Sequence, residues 1–249
     1  CRLVAAGSWP DAPADHFILG LKELPAEEFP LRHAHIYYAH CYKDQQHSRQ
    51  VLRRFVTGGG TLLDCEYLAD EHGHALTVNE IGRLSGYVGA AMALQFFFQK
   101  AMRCALALAQ PYFPSRAVLI SHVVGLARDA GVVPSVVVVG ERGDAGGGAA
   151  EFCREVGVGA VLWGRAETGS PEVLATLNQF DVVLNCIGTD EVGPPFLREA
   201  DLAVGRLSVL ADVTCDVGSP VHRFPFYSRI TTFDDPVLAV GPADAPVHV

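Results

Sequence analysis

Short apolar runs alternate with helical-period stretches along the chain, and that rhythm predicts an α/β protein. In the first half, residues 2–5, 17–21 (FILGL) and 35–39 (HIYYA) predict strands, and 61–68 begins another after the break at Gly58, Gly59 and Gly60. Residues 44–56 read as a helix and 75–78 as a short return strand. Residues 82–108 carry a long helical pattern in which Gly86, Gly89, Ala90, Ala91 and Ala93 precede a cluster of phenylalanines, and such small residues let a helix approach another element closely. A second amphipathic helix, 117–130, follows Pro111 and Pro114.

After Pro134 the pattern changes. Residues 135–139 (SVVVV) form a β-branched run of the kind buried on both faces of a parallel sheet. A glycine-rich stretch at 140–148, a helix at 149–156, a strand at 160–163, a helix at 171–179 and strands at 181–186 and 207–213 complete the series. Strand, glycine turn, helix and strand make a βαβ unit and a parallel sheet.

The 249 residues are 49% hydrophobic and 19% charged, which excludes disorder. Lys plus Arg number 19 against 28 Asp plus Glu, a net charge of -9, so neither nucleic acid nor an anionic membrane is an expected partner. The most apolar helix segment, 87–98, is too short to span a bilayer and reads as a buried helix. The seven cysteines (Cys1, Cys41, Cys65, Cys104, Cys153, Cys186, Cys215) are widely spaced and include no CxxC, so we expect reduced thiols in a cytoplasmic protein. Cys1 stands first in place of Met and the sequence stops abruptly at Val249; we expect both ends of the natural protein to lie outside it.

The glycine stretch reads Gly140-Glu141-Arg142-Gly143-Asp144-Ala145-Gly146, spaced G-x-x-G-x-x-G. It follows a buried strand and opens a helix, the context in which backbone amides at a helix N-terminus receive a pyrophosphate; the alternative is a plain glycine-rich turn. The next strand ends Leu162-Trp163-Gly164-Arg165, without the acidic residue that binds ribose hydroxyls. Arg165 there suits a 2′-phosphate, so NADP(H) is the preferred expectation and NAD(H) the other. Asp144 sets a carboxylate in the phosphate turn, opposed by Arg142.

Lys22, Glu23 and His40 lie just past strand ends, which border the ligand crevice of an open parallel sheet. A lysine there serves as a base when its pKa falls, and a histidine as an acid near neutral pH, with Glu23 and Glu66 tuning both. The alternative is that Lys22 and His40 only cap strand ends. His33 and His35 share a strand face, but His40 has the opposite parity and no carboxylate completes a ligand set, so no metal is expected. Gly-x-Ser-x-Gly is absent.

Three blocks (Gly20-Leu-Lys22-Glu23-Leu-Pro25, His35-Ile-Tyr-Tyr-Ala-His40-Cys-Tyr-Lys43-Asp44-Gln45 and Gly60-Thr-Leu-Leu-Asp64-Cys-Glu66) resemble the NAD-dependent, lysine-forming saccharopine dehydrogenases. The resemblance continues through Gly86-Tyr-Val-Gly89, residues 136–149, Leu184-Asn-Cys186-Ile and Asp212-Val-Thr-Cys-Asp216. It implies two Rossmann-like domains with parallel sheets and an interdomain active-site cleft. Residues 1–85 would be the catalytic and substrate domain, resembling the N-terminal domain of alanine dehydrogenases; 86–133 would be linking helices and 134–249 the dinucleotide-binding domain. The implied reaction is reversible oxidation of the secondary amine of saccharopine, or of a related N-linked amino acid, to an imine hydrolysed to an amino acid and a 2-oxo acid. By position, Lys22 resembles the family's base and His40 its acid–base partner, with Glu23 and Glu66 as modulators. Gln45, Lys43, Thr214 and Asp216 resemble substrate contacts, and Gly140, Gly143, Asp144, Gly146, Gly164, Arg165, Cys186 and Val213 fall at cofactor positions. Where the family carries two substrate or cofactor arginines, this chain has His74 and Ala75. Its family-type Arg is Asp144, the ribose-binding Asp is Gly164, and one partner of a family disulfide is Ala145, which leaves Cys186 without its match. A non-catalytic relative that binds a metabolite or partner protein is the other reading of these departures.

Overall fold

The computed structural model describes residues 3–21, 24, 27–39, 41, 48–73, 80–107, 112–189, 191–215, 217–232 and 234–249. They fall into two compact units, 1–78 and 79–249.

The first unit holds a three-stranded parallel sheet, β1 (Phe17–Leu19), β2 (Ala34–Tyr37) and β3 (Thr61–Asp64), in that order. Helix α1 (Ser48–Gly58) lies between β2 and β3 in the chain. Period-two alternation along β2 turns His33, His35 and Tyr37 to one face, where they are buried with Leu31 and Phe55. Residues 3–5, expected as a strand, are outside this sheet, and Leu3 and Val4 are exposed. An apolar run needs a strand to pair with, and the only partner of β1 among the described residues is β2. The strand expected over 61–68 stops at Asp64, because the Asp64 side chain accepts the Glu66 N–H at 3.1 Å and turns the chain. The return strand expected at 75–78 lies outside the described residues.

The second unit carries a six-stranded sheet in the order β5-β4-β6-β7-β9-β8. Strands β4 (Val136–Val139), β5 (Ala160–Trp163), β6 (Val182–Asn185), β7 (Val209–Asp212) and β9 (Val247–His248) are parallel, and β8 (Ala239–Val240) is antiparallel to β9. The β-branched run behaves as expected. Val136 and Val138 join one core with α2 (Glu80–Ala101), α3 (Arg116–Ala130) and α4 (Asp144–Glu155). Val137 and Val139 join the opposite core with Leu177, Leu210, Phe224 and Val247. The segment 171–179, expected as one helix, divides into α6 (Pro171–Leu174) and a 3₁₀ turn, Leu177–Gln179, after the four-residue α5 (Arg165–Thr168).

Helix α4 begins at Asp144, five residues before its expected start, so Gly146, Gly147 and Gly148 are helical. Glycine disfavours helix by about 1 kcal/mol against alanine, but here close approach overrides propensity. A Cβ on Gly148 would lie 1.9 Å from the Arg83 carbonyl oxygen of α2, and one on Gly86 of α2 would lie 1.8 Å from the Ala145 carbonyl oxygen of α4. Each helix thus sets a glycine against the other's backbone. Tyr87 packs edge-on to Phe152 at 4.8 Å and donates to Glu155 at 2.6 Å, and Arg83 and Arg116 both pair with Glu151.

Candidate functional site

The sheet order places β5 on one side of β4 and β6 on the other, so connections leave β4 and β6 in opposite directions. A crevice opens outside the carboxyl ends of strands at such a point. Here it has a volume of about 850 Å³, with walls that include Gly140, Gly143, Gly164, Arg165 and Cys186, five of the eight expected cofactor positions.

The turn after β4 is shaped by its glycines. Gly140 has φ +95°, and a Cβ on it would lie 2.9 Å from the Cys186 carbonyl oxygen. A Cβ on Gly146 would lie 2.1 Å from the Gly140 carbonyl oxygen, so the first turn of α4 sits directly on the loop. On Gly143, by contrast, an added Cβ would meet only the Gly140 oxygen at 3.5 Å, which leaves that face to the crevice. The Gly147 N–H bonds back to Gly143, while the amides of residues 144–146 precede the first intrahelical bond of α4. A crevice of this size, with a helix N-terminus and glycines facing it, fits a dinucleotide diphosphate.

Three expected cofactor residues stand differently. Gly146 lies under the Gly140 carbonyl. Asp144 is an exposed first-turn residue of α4, where a carboxylate favours the helix dipole, and it is not among the residues lining the crevice. Val213 lines a separate groove of about 500 Å³ beside α2, with its Cγ2 2.8 Å from a Cβ built on Gly89.

Two features of this region escaped the sequence. Arg223 spans the far wall, donating to the Glu191 carbonyl at 2.8 Å and the Pro194 carbonyl at 3.3 Å, with its guanidinium 5.6 Å from the Phe196 ring centroid. Nothing in its spacing announces this. Beyond β6 and β7, the Asp212 carboxylate gathers donors from Asn185 at 2.7 Å, Thr214 at 2.9 Å and Tyr227 at 2.6 Å. The Thr214 hydroxyl, expected at substrate, is thereby held by Asp212 and accepts from Asn185 at 3.1 Å. Cys186 and Cys153 are both buried thiols, and burial first, then the Asp212 carboxylate and Cys153, push Cys186 up to about 12. That thiol is no nucleophile at neutral pH.

In the first unit, Lys22, Glu23, His40, Lys43 and Gln45 lie outside the described residues, as does Asp216 in the second. Glu66 is described, and Asp64 places it: Oδ1 of this buried carboxylate accepts from the Glu66 N–H at 3.1 Å and the Ala39 N–H at 3.3 Å. One side chain thus ties together the segments leaving β2 and β3. Tyr37 Oη and Asp64 Oδ2 are buried without a hydrogen-bond partner among the described residues. Burial, then the Cys41 thiol and the Asp64 carboxylate, raise the Tyr37 phenol well above its ordinary range. Asp64 was readable as an acid at a strand end, two residues before Glu66.

His33 and His35 share a face, with ring centroids 6.2 Å apart, but Trp9 and Phe55 pack edge-on to His35, each at 5.2 Å, and His33 Nε2 bonds the Ala12 carbonyl at 2.9 Å. No group of three or more metal-ligating side chains occurs among the described residues. None of the described helices is long and apolar enough to cross a membrane.

No family model matches the chain. It is 37% identical over 252 residues to saccharopine dehydrogenase [NAD(+), L-lysine-forming] of Neurospora crassa, covering 96% of this chain and 66% of that protein. It is 35% identical over 255 residues to the enzyme of the same name from Yarrowia lipolytica, covering 98% and 69%, and 37% identical to that of Emericella nidulans, covering 96% and 66%. The chain spans about two thirds of the length of these curated relatives. A solved structure of Trypanosoma brucei N5,N10-methylenetetrahydrofolate dehydrogenase-cyclohydrolase with NADP cofactor and inhibitor covers 94% of this chain and 73% of that one at 12% identity, but its TM-score of 0.26 carries no argument. Identity above 30% across nearly the whole chain, to proteins of which it covers up to 69%, means that the chain belongs to the NAD-dependent, L-lysine-forming saccharopine dehydrogenase family.

Proposed function

We propose that the chain works as a nicotinamide-dinucleotide-dependent oxidoreductase acting on a CH–NH donor. Saccharopine, or a related N-linked amino acid, is oxidised at its secondary amine, and water cleaves the resulting imine into an amino acid and a 2-oxo acid. Family membership supports the reaction class. The observation that carries the reading is the glycine-walled crevice at the carboxyl ends of β4 and β6, with the N-terminus of α4 opening onto it. A bound nicotinamide dinucleotide would supply the hydride acceptor, and Gly140, Gly143 and the first-turn amides of α4 would hold its diphosphate.

In this reading the first unit contributes the proton chemistry and the second the dinucleotide. Lys22 takes the amine proton as hydride leaves the adjacent carbon, and His40 moves protons as water adds and the C–N bond breaks. Glu23 and Glu66 tune both groups, with Glu66 held by Asp64. Gln45, Lys43, Thr214 and Asp216 contact substrate. Residues His74 and Ala75, in place of the family's arginines, leave room for a substrate other than saccharopine. The choice between NAD(H) and NADP(H) turns on the tip of β5, where Arg165 follows Gly164 and a Cβ built on Gly164 would meet carboxylate oxygens of Glu141 and Glu167. The wide spacing of the seven cysteines, with no CxxC, supports a reducing compartment.

Amino acids paired with 2-oxo acids, with reduced-dinucleotide oxidation as readout, test the proposal. At least one pair turns over, and Lys22→Met lowers turnover by about 10²-fold or more while dinucleotide binding is kept. Full activity in Lys22→Met removes it as the base; no turnover with any pair, together with no dinucleotide binding, overturns the enzyme reading.

A further inference from the structure

A Rossmann sheet reads the adenosine ribose at the tip of its second strand, and an acidic side chain there accepts hydrogen bonds from the ribose hydroxyls. In this chain the tip of β5 is Gly164, which cannot do so. The space that its side chain would enter is nevertheless acidic. A Cβ built on Gly164 would lie 3.0 Å from Glu141 Oε1 and 3.6 Å from Glu167 Oε2. Resting on the dinucleotide reading above, we propose that Glu141, from the glycine turn after β4, supplies the carboxylate missing at residue 164, holds the ribose diol and makes the site select NAD(H) over NADP(H).

Of the two carboxylates, Glu167 is already committed. Its Oε2 accepts the Gly164 N–H at 2.8 Å, and that bond is the main reason its carboxyl lies below the usual range. Glu141 is held but not saturated. Its backbone N–H donates to the Trp163 carbonyl at 3.2 Å, which fixes residue 141 against the end of β5. Arg142 Nε donates to Oε1 at 3.1 Å, and the side chain retains 27% exposure. A carboxylate offers about four lone-pair directions, so acceptor capacity remains for a diol. Arg142 and Gly164, which flank it, both line the crevice.

The charges argue the same way. Arg165 alone would suit a 2′-phosphate, which is the expectation from sequence. Around the tip, however, Glu141 is paired with Arg142, and Glu141 and Glu167 both bring a carboxylate oxygen within 4 Å of a Cβ built on Gly164, the residue before Arg165. A phosphate with no proton to donate would meet a carboxylate where a diol finds an acceptor.

Fluorescence titration of NADH and NADPH into the full chain tests this without turnover. The unaltered protein binds NADH at least about tenfold tighter than NADPH, and Glu141→Gln weakens NADH by about tenfold while changing NADPH by less than about threefold. Gly164 has φ −108° and ψ −155°, which any residue adopts, so Gly164→Asp combined with Glu141→Ala restores an acid from the strand tip and recovers NADH affinity. A preference for NADPH, or an unchanged NADH-to-NADPH ratio in Glu141→Gln, overturns this proposal alone. Equal weakening of both dinucleotides by Glu141→Gln, unrescued in the double variant, makes Glu141 a structural residue and overturns it as well. Binding of neither dinucleotide by the unaltered protein removes the dinucleotide reading and this proposal together.

Discussion

Replacing Gly86 by alanine adds one methyl group to α2 at its crossing with α4. The new carbon would stand 1.8 Å from the Ala145 carbonyl oxygen, 2.5 Å from its carbonyl carbon and 2.8 Å from its Cα. All three are backbone atoms, so no rotamer change relieves the overlap; the helices must separate toward ordinary van der Waals contact. Overpacking of a core costs about 1–3 kcal/mol, and a backbone clash belongs at the upper end. The alanine returns about 1 kcal/mol of helix propensity. The net expectation is a loss of about 2 kcal/mol, or a melting temperature lower by about 4–8 °C in a unit of this size. Because Ala145 sits in the first turn of α4, the displacement also reaches the amides facing the crevice, and dinucleotide affinity falls with stability. Gly125→Ala in α3 is the matched control. Its added carbon meets nothing within 4 Å, so the same chemical change there stabilises by up to about 1 kcal/mol. Urea denaturation followed by circular dichroism reads both. A Gly86→Ala protein as stable as the parent, or a Gly125→Ala protein that loses as much, refutes the close-crossing argument.

The first unit should lose stability in acid through His35. Its pKa is lowered from 6.5 to about 4, chiefly by burial and then by the charges of His33 and Arg54. A histidine depressed in the folded state contributes stability that is fully present above its unfolded pKa and is lost as pH falls toward the folded one, here between about 6.5 and 4, by up to about 3 kcal/mol. Between about pH 6.5 and 4 the urea midpoint of the parent should fall more steeply than that of His35→Phe, which carries no such proton, and parallel pH profiles would count against the assignment. Asp64→Ala removes the acceptor shared by the Ala39 and Glu66 amides. We expect a stability loss of about 1–3 kcal/mol and a fall in turnover with dinucleotide affinity unchanged; unaltered turnover would free Glu66 from dependence on Asp64.

Features governed by neighbours in sequence were legible before any coordinates. Residues 135–139 are β-branched throughout, and β4 is indeed buried on both faces, because a strand sandwiched between two layers has no face left for polar side chains. The glycine spacing after that strand located the crevice, since glycines at 140 and 143 are demanded by a turn that a single segment can make. The small residues of α2 signalled a close neighbour without naming it. Hidden from the sequence was everything set by residues distant along the chain. Glycines 146–148 read as part of a glycine-rich stretch ahead of the helix, yet they are helical, and α2 and the Gly140 carbonyl leave no space for a side chain at 146 or 148. The strands near the chain end, β8 and β9, are two residues each, too short for periodicity to register, and form where β7 offers β9 an edge and β9 in turn pairs with β8. At the tip of β5, sequence shows a glycine followed by an arginine; folding brings Glu141 from another strand's turn into that space. Local pattern records what a residue prefers, whereas a site's charge depends on which side chains converge in space, and that convergence is a property of the packed chain.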